Sequence, residues 1–181
     1  MTPAAPIFSW PVRVYWEDTD AGGIVFYANY LKFFERSRTE WLRSLGVEQQ
    51  RLRESTGGIF VVAETTIRYH RSARLDDELI VTASLIEAGR ASMIIGQQVL
   101  LKTEQVDLPG KSLSDTQFSD GPPLGKLAPK YDERGSAPPK AREATSVGAL
   151  LCEGSIRIGW VDAASLQPRR IPAAILDSLK T

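Results

Sequence analysis

Two aspartates separated by one residue, and followed by two glycines, form the stretch of the chain most suited to chemistry. Asp18 and Asp20 lie just after a strand-like segment, and Gly22 and Gly23 follow them. A carboxylate held near the unpaired N–H groups of a helix start can act as a general base or a nucleophile, while those N–H groups stabilise an oxyanion. This combination suits acyl transfer. The alternative is a solvated acidic loop, which the dipole of the following helix also favours.

The helix after this acid-rich loop is the longest element that the sequence predicts. It is expected from about residue 28 to residue 45, with Asn29 as its N-cap and Gly46 as its stop. One face is apolar and aromatic, and most charged residues lie on the other. The apolar face holds Tyr30, Phe33, Phe34, Ser37, Trp41, Leu42 and Leu45. Such a face must pack against something large, such as a sheet, so core packing is favoured over ligand binding for these aromatic residues.

Strand patterns account for most of the remaining chain. Alternation predicts strands over about residues 12–17, 59–69, 78–87, 91–101 and 150–161, with turns at 76–77 and 88–90. Short turns imply antiparallel neighbours. A short helix is expected at about residues 48–54, and another begins near Pro172. The order strand, long helix, short helix and four strands predicts a single α+β domain spanning residues 1–181.

The stretch from about residue 106 to residue 147 interrupts this pattern. It is rich in Pro, Gly, Ser and charged residues, and it shows little sustained periodicity. This composition predicts a long insertion in a hairpin, mobile or disordered at least in part.

Composition and charge narrow the classes of function. The chain of 181 residues has 22 basic and 22 acidic side chains, so the basic excess that is usual in nucleic-acid-binding proteins is missing. The single cysteine, Cys152, excludes an internal disulfide, and its apolar neighbours predict a buried, inert thiol. The first residues lack a signal-peptide pattern, and no run reaches the ~18 apolar residues of a membrane span. The expected location is cytoplasmic.

Other catalytic motifs are missing from the sequence. It contains no Gly-x-Ser-x-Gly elbow, no Gly-rich phosphate loop, no Cys-x-x-Cys and no His-Glu-x-x-His. The one histidine, His70, and the distant Cys152 do not supply a zinc site. We therefore expect no metal, and a surface or subunit-contact role for His70.

The run DTDAGGIVFYANY, which begins at Asp18, together with FFERSRTEW, which begins at Phe33, closely resembles the 4-hydroxybenzoyl-CoA thioesterase family. Within it, the resemblance is closest to the acyl-CoA thioesterases associated with the Tol-Pal system, over about residues 11–104 and 149–173. The resemblance implies a hotdog fold, in which an antiparallel sheet of about five strands wraps a long central helix. It also implies metal-independent hydrolysis of acyl-CoA thioesters to free acid and CoA, so that CoA is part of the substrate and no cofactor is needed.

The resemblance assigns roles to four residues. Asp20 matches the catalytic aspartate, acting as general base or nucleophile, and the backbone N–H of Tyr27 matches the donor that polarises the thioester carbonyl. Arg90, with Ser92 close behind it, falls where relatives contact the nucleotide end of CoA. Tyr27 stands where many Tol-Pal-type members have histidine, so a histidine acid or base is unavailable at this position.

Two other acids stand near the same elements. A structural role in the loop is preferred for Asp18. For Glu35, an ion pair with Arg36 or Arg38 is preferred, although some other hotdog thioesterases use a helix acid in catalysis.

Oligomerisation is also implied, because the edge strands of an open sheet need protection. The resemblance implies a homodimer, often doubled to a homotetramer, with active sites at the dimer interface. Two rival functions remain open. One is a hotdog protein that binds acyl-CoA or acyl carrier protein without turnover, since fold alone does not prove activity. The other is a dehydratase, which characteristically has a histidine-centred site.

Overall fold

The computed structural model describes residues 7–102 and 147–179. They form five strands, three α-helices and one 3-10 turn. The strands are β1 (Phe8–Arg13), β2 (Gly58–Tyr69), β3 (Glu78–Ala88), β4 (Ser92–Lys102) and β5 (Val147–Asp162). The helices are α1 (Asn29–Ser44), α2 (Gln49–Thr56) and α3 (Ala173–Ser178), and the 3-10 turn is Trp16–Asp18. The insertion predicted at about residues 106–147 lies almost wholly outside the described residues and stays a prediction.

The five strands make one antiparallel sheet in the order β1-β3-β4-β5-β2, so β1 and β2 are its two edges. The long helix α1 packs against β1, β3 and β4. This arrangement confirms the predicted α+β hotdog fold with a long helix against a five-stranded sheet. Among the helices of the described residues, none combines the length and the apolar character that crossing a membrane requires.

The apolar face of α1 forms the centre of the core, as its periodicity predicts. Its buried residues are Asn29, Tyr30, Phe33, Phe34, Ser37, Trp41 and Leu42. The Ser37 hydroxyl, fully buried, donates to the carbonyl oxygen of Val81 at 3.1 Å, which ties the helix to the middle of β3. A side chain at Gly154 would place its Cβ 2.9 Å from the ring of Phe34, so the helix approaches β5 closely because this residue is glycine.

The prediction that β2 and β3 are adjacent strands is wrong. The turn at residues 76–77 predicts a hairpin between them, but β3 lies between β1 and β4 while β2 pairs with β5 at the far edge. The link between β2 and β3 instead crosses beneath the start of α1. Ala73 in this link is buried, and its N–H donates to the hydroxyl of Tyr30 at 2.9 Å. Burial of this link against the helix outweighs the short-turn preference for adjacent strands.

The first strand also differs from its predicted position. It covers Phe8–Arg13 rather than residues 12–17, and the chain then turns through Trp16–Asp18. Pro11 is accommodated because β1 is an edge strand, where a missing N–H leaves no partner strand unsatisfied. The consequence for the site is that Asp18 belongs to a turn, two residues before Asp20, and not to an extended strand end.

Candidate active site

The acid-rich loop is a small hairpin that returns the chain to the start of α1. The N–H of Asp20 donates to the carbonyl oxygen of Ile24 at 2.9 Å, and the N–H of Phe26 donates to the carbonyl oxygen of Asp18, also at 2.9 Å. Gly23 turns the tip with φ of 70°, a left-handed conformation that glycine adopts without steric cost. The two aspartates are therefore held beside the residues that lead directly into the helix.

Asp20 is exposed at this tip, and its carboxylate is oriented by a single neighbour. Its Oδ1 accepts the N–H of Gly22 at 2.8 Å. A Cβ at position 22 would lie only 3.1 Å from the same oxygen, so any larger residue there would crowd the carboxylate. The second carboxylate oxygen has no hydrogen-bond partner among residues 7–102 and 147–179. An oriented carboxylate with one unoccupied oxygen can accept a proton from water or attack a carbonyl carbon.

Asp18 has the structural place that the sequence reading prefers for it. Its side chain is only 1% exposed, and its Oδ2 accepts the N–H of Tyr15 at 3.0 Å. Its carbonyl oxygen accepts both the N–H of Phe26 and the Nδ2 of Asn29, at 2.9 and 3.0 Å. Asp18 is therefore occupied in holding the hairpin to the helix, and of the two aspartates it is Asp20 that faces solvent.

Asn29 is not the N-cap of α1, contrary to the sequence prediction. The helix begins at Asn29 itself, with Ala28 as the capping residue and no side-chain cap. The Asn29 side chain is buried and turns back to the loop, where Nδ2 also reaches the carbonyl oxygen of Glu17 at 3.4 Å. The side-chain amide of Asn29 thus donates to two backbone carbonyl oxygens of the loop and does not cap the helix.

A backbone donor lies just before α1, beside the hairpin. The N–H of Asn29 donates to the carbonyl oxygen of Phe26 at 2.8 Å, which sets the orientation of the peptide between Phe26 and Tyr27. Among the described residues, the N–H of Tyr27 has no acceptor. An unpaired N–H at the positive end of a helix of 16 residues is suited to a developing negative charge.

Aromatic rings surround this donor. The ring of Tyr27 is 63% exposed and lies 4.6 Å from the ring of Phe26 and 6.3 Å from that of Tyr69, between centroids. The hydroxyl of Tyr69 donates to the carbonyl oxygen of Tyr27 at 3.0 Å, and burial raises the pKa of this hydroxyl. Sequence reasoning missed Tyr69 and the role of Asn29, because each acts on a residue that is distant in the chain.

Arg90 and Ser92 lie at the opposite end of the sheet from Asp20. Arg90 is exposed in the turn between β3 and β4, and its guanidinium has no ion-pair partner within the described part of the chain. The chain that leads into the Asp20 hairpin passes the other end of β3, where the N–H of Val14 donates to the carbonyl oxygen of Asp77 at 3.0 Å. A strand of 11 residues spans about 33–36 Å, so one chain does not bring Arg90 to Asp20.

Three other residues singled out by the sequence lie elsewhere. His70 has an exposed side chain and shares a contact of 3.0 Å between its Nε2 and Oε1 of Glu153. The ion pair expected for Glu35 is not formed among the described residues, because its carboxylate accepts the hydroxyl of Thr39, one helical turn later, at 2.7 Å. Cys152 is buried, and burial raises the pKa of its thiol to about 12, which fits an inert side chain.

Metal ligands are not gathered anywhere in residues 7–102 and 147–179. No group of three or more His, Cys, Asp or Glu side chains in this part of the chain is placed to hold an ion. The expectation that hydrolysis needs no metal or cofactor stays a prediction.

Comparison with known proteins connects this geometry to a family. The family model of the thioesterase superfamily matches residues 22–107. The acyl-CoA thioesterase YbgC of Haemophilus influenzae is 49% identical over 96 residues, covering 53% of this chain and 71% of that protein. The acyl-CoA thioester hydrolase YbgC of Escherichia coli O6:H1 is 44% identical over 94 residues, covering 52% and 69%.

Solved structures show the same fold. A 4-hydroxybenzoyl-CoA thioesterase variant in complex with 4-hydroxybenzoyl-CoA superposes with a TM-score of 0.68, at 15% identity, over 96% of this chain and 98% of that one. A 1,4-dihydroxy-2-naphthoyl-CoA thioesterase from Synechocystis superposes with a TM-score of 0.67, at 14% identity, over 96% of each chain. With the sheet order, the helix and the two YbgC relatives, these matches show that the chain belongs to the hotdog-fold thioesterase superfamily.

Proposed function

We propose that this chain hydrolyses acyl-CoA thioesters to free acid and CoA, with the Asp20 carboxylate as general base or nucleophile and the backbone N–H of Tyr27 as the oxyanion donor. One observation carries the proposal: an exposed, oriented carboxylate lies on a hairpin that leads straight into an unpaired N–H at a helix start. The relatives named acyl-CoA thioesterase support the same reaction.

Two routes fit this arrangement. As general base, Asp20 takes a proton from water while the water oxygen attacks the thioester carbon, the C–S bond breaks, and the CoA thiolate leaves and is protonated. As nucleophile, the Asp20 carboxylate attacks the same carbon and expels the thiolate, and water then hydrolyses the resulting anhydride. In both, the Tyr27 N–H stabilises the negative charge that develops on the carbonyl oxygen.

We propose further that two copies of the chain pair through β2 to complete each site. β2 is an edge strand of 12 residues, Gly58–Tyr69, and an unpaired edge of that length needs cover. Two-fold pairing of one strand with its own copy is antiparallel. Tyr69 contacts Tyr27 at the end of β2 near the Asp20 hairpin, whereas Gly58 lies at the end near Arg90.

Antiparallel pairing therefore exchanges the two ends of the sheet between copies. The Asp20 end of one copy comes beside the Arg90 end of the other, across the middle of the paired β2 strands. CoA bound at such a site has its thioester at Asp20 and its nucleotide near Arg90 and Ser92 of the second copy. The exposed, unpaired guanidinium of Arg90 is suited to the phosphates of CoA. Association into tetramers, a role for acyl carrier protein and a link to the Tol-Pal system stay predictions.

An acyl-CoA panel with a thiol reagent that reports released CoA tests the proposal. The wild-type chain should turn over at least part of the panel, and the Asp20→Asn variant should bind the same esters without turning them over. Binding of the panel by both proteins with no release of CoA by either would favour the non-catalytic binding protein instead.

A further inference from the structure

A cavity of about 220 Å³ lies between the second half of α1 and the sheet. Most of its wall is apolar, and its apolar lining residues include Trp41, Leu42, Phe60, Met93, Ile95 and Ile158. No residue of the Asp20 hairpin or of the first turn of α1 lines it. A cavity of this size has room for a small group such as a short acyl chain.

One cation faces this apolar wall. Arg38 lines the cavity, and its Nη1 donates to Oε1 of Gln97 at 2.6 Å. Gln97 is itself only 2% exposed and is held by its Nε2, which donates to the carbonyl oxygens of Phe34 and Thr82 at 3.0 and 3.3 Å. Gln97 is therefore held in place and uncharged, so it orients the guanidinium of Arg38 without neutralising its charge.

The other N–H donors of Arg38 have no acceptor among the described residues. A guanidinium has five N–H donors, and within the described part of the chain its one hydrogen-bond partner is Gln97, with no carboxylate at ion-pair distance. Glu35 also lines the cavity, but it is exposed and its carboxylate accepts the hydroxyl of Thr39. A half-buried cation whose other donors have no partner among the described residues favours an acceptor, and the cavity beside it is where one fits.

The cavity reaches the free edge of the sheet. Val61 and Val62 of β2 line it, and Val62 is 56% exposed. In the antiparallel pairing of two β2 strands described above, this first part of β2 lies beside Tyr69 of the second copy, and Tyr69 contacts Tyr27 there. The mouth of the cavity then faces the Asp20 hairpin of the second copy.

We infer that this cavity receives the acyl group, and that Arg38 is a specificity-determining residue that selects short acyl groups bearing an oxygen acceptor at their far end. The inference rests on the proposed thioesterase function and on the proposed β2 pairing. A hydroxyl, keto or carboxylate oxygen supplies the acceptor that the guanidinium lacks, while the apolar wall covers the methylene groups.

Three CoA esters with the same five-carbon backbone test this selection. Pentanoyl-CoA has no distal oxygen, 4-oxopentanoyl-CoA has a neutral one, and glutaryl-CoA has a carboxylate. We expect the wild-type kcat/KM to be about tenfold higher for at least one oxygen-bearing ester than for pentanoyl-CoA, as one charge-assisted hydrogen bond predicts. Whichever of the two oxygen-bearing esters has the higher kcat/KM shows whether the site prefers a neutral or an anionic acceptor. Equal or faster hydrolysis of pentanoyl-CoA by the wild type would overturn the inference.

Variants assign the preference to Arg38. Arg38→Met should lower the ratio between the oxygen-bearing ester and pentanoyl-CoA to about one, and Arg38→Lys should retain part of it. Arg36→Met is the matched control, because Arg36 is exposed, its guanidinium carbon lies 5.9 Å above the Phe33 ring, and it does not line the cavity. An unchanged ratio in Arg38→Met contradicts the inference. If that variant does not fold, Arg38→Lys and the wild-type ratio decide.

Failure of the proposed function gives a different result. A wild-type chain that hydrolyses none of the three esters contradicts the thioesterase proposal. The selection is then measured by equilibrium binding of the same esters, where the oxygen-bearing ester should bind about tenfold more tightly. Equal binding of all three would contradict the selection as well.

Discussion

The side-chain amide of Asn29 donates to the backbone carbonyl oxygen of Asp18 at 3.0 Å, across 11 residues of chain. Both groups are buried. This contact joins the first residue of α1 to the turn that precedes Asp20, so the distance between the Asp20 carboxylate and the helix start depends on it. The same carbonyl accepts the N–H of Phe26, and the two donors together close the hairpin.

Replacing Asn29 by Ala should lower both stability and turnover. Loss of the amide leaves buried carbonyl oxygens with fewer donors, which costs about 1–3 kcal/mol in the free energy of unfolding. The Asn29→Asp variant should be worse, because a carboxylate placed against two carbonyl oxygens repels them. Chemical denaturation measures the first effect, and kcat under conditions where each variant is fully folded measures the second. Wild-type kcat in folded Asn29→Ala would show that the hairpin keeps its position without this contact.

The Asp20→Asn variant tests the proposed role of Asp20 as general base or nucleophile. It keeps the size of the side chain and its contact with Gly22, but removes the group that accepts a proton or attacks the substrate. We expect kcat to fall by about 10²–10⁴, with affinity for CoA esters largely kept. Glu17→Gln is the control, since Glu17 is an exposed acid of the same loop whose contact to Asn29 is made by its backbone. More than half of wild-type kcat in Asp20→Asn would remove Asp20 from the mechanism.

Tyr27→Phe separates the backbone donor from the side chain. The proposed oxyanion donor is the N–H of residue 27, worth on the order of 3 kcal/mol, and this substitution leaves it in place. We expect kcat/KM within about tenfold of wild type, because the phenol is 63% exposed and has no hydrogen-bond partner in the described residues. A loss as deep as that of Asp20→Asn would make the phenol a catalytic group.

Subunit complementation tests whether each site uses two copies. Asp20→Asn lacks the acid, and Arg90→Ala should bind CoA esters weakly, so each is slow at low substrate concentration. In a mixed dimer, one site combines an intact Asp20 with an intact Arg90 from the other copy. Random mixing should therefore restore up to about one quarter of wild-type activity. Activity equal to the mean of the separate variants would place Asp20 and Arg90 in the same chain's site. Light scattering should report a mass of two 20.0 kDa chains, or a multiple of it.

The buried thiol of Cys152 predicts a fall in stability at alkaline pH. Burial raises its pKa from 9.0 to about 12, so the folded state favours the protonated thiol more than the unfolded state does. The resulting stabilisation is fully present below the unfolded pKa and is lost as pH rises towards the folded value. Denaturation at pH 7 and pH 10 should therefore show a smaller loss in Cys152→Ala than in wild type. Iodoacetamide at pH 8 should label the folded chain at least about 100-fold more slowly than the unfolded chain.

Local patterns in the sequence were sufficient for the helix and for its C-terminal stop. The spacing of Tyr30, Phe34 and Trp41 follows the helical repeat, and these residues are buried as that repeat requires. Gly46 ends the helix in a left-handed conformation, with φ of 76°. Both features depend on neighbours within a few residues, so they can be predicted without knowledge of the rest of the chain.

Tertiary packing decided which local preferences survive. The turn at residues 76–77 is present, but β2 and β3 are not neighbours, because the link between them is buried under α1 and leaves β2 to pair with β5. Asn29 is at the helix start, but its amide serves two loop carbonyls rather than the helix end. In each case the burial of a polar group or an apolar segment against a distant partner outweighed a preference set by adjacent residues.

The sequence by itself determined that Asp20 and the Tyr27 N–H share one strand-to-helix connection, since only seven positions separate them. It did not determine that Tyr69 holds the carbonyl of Tyr27 across 42 residues, or that Arg90 lies at the other end of the sheet. Those relations depend on strand order. Strand order depends on long-range burial, such as that of the β2–β3 link against α1, and no short-range pattern in the chain records it.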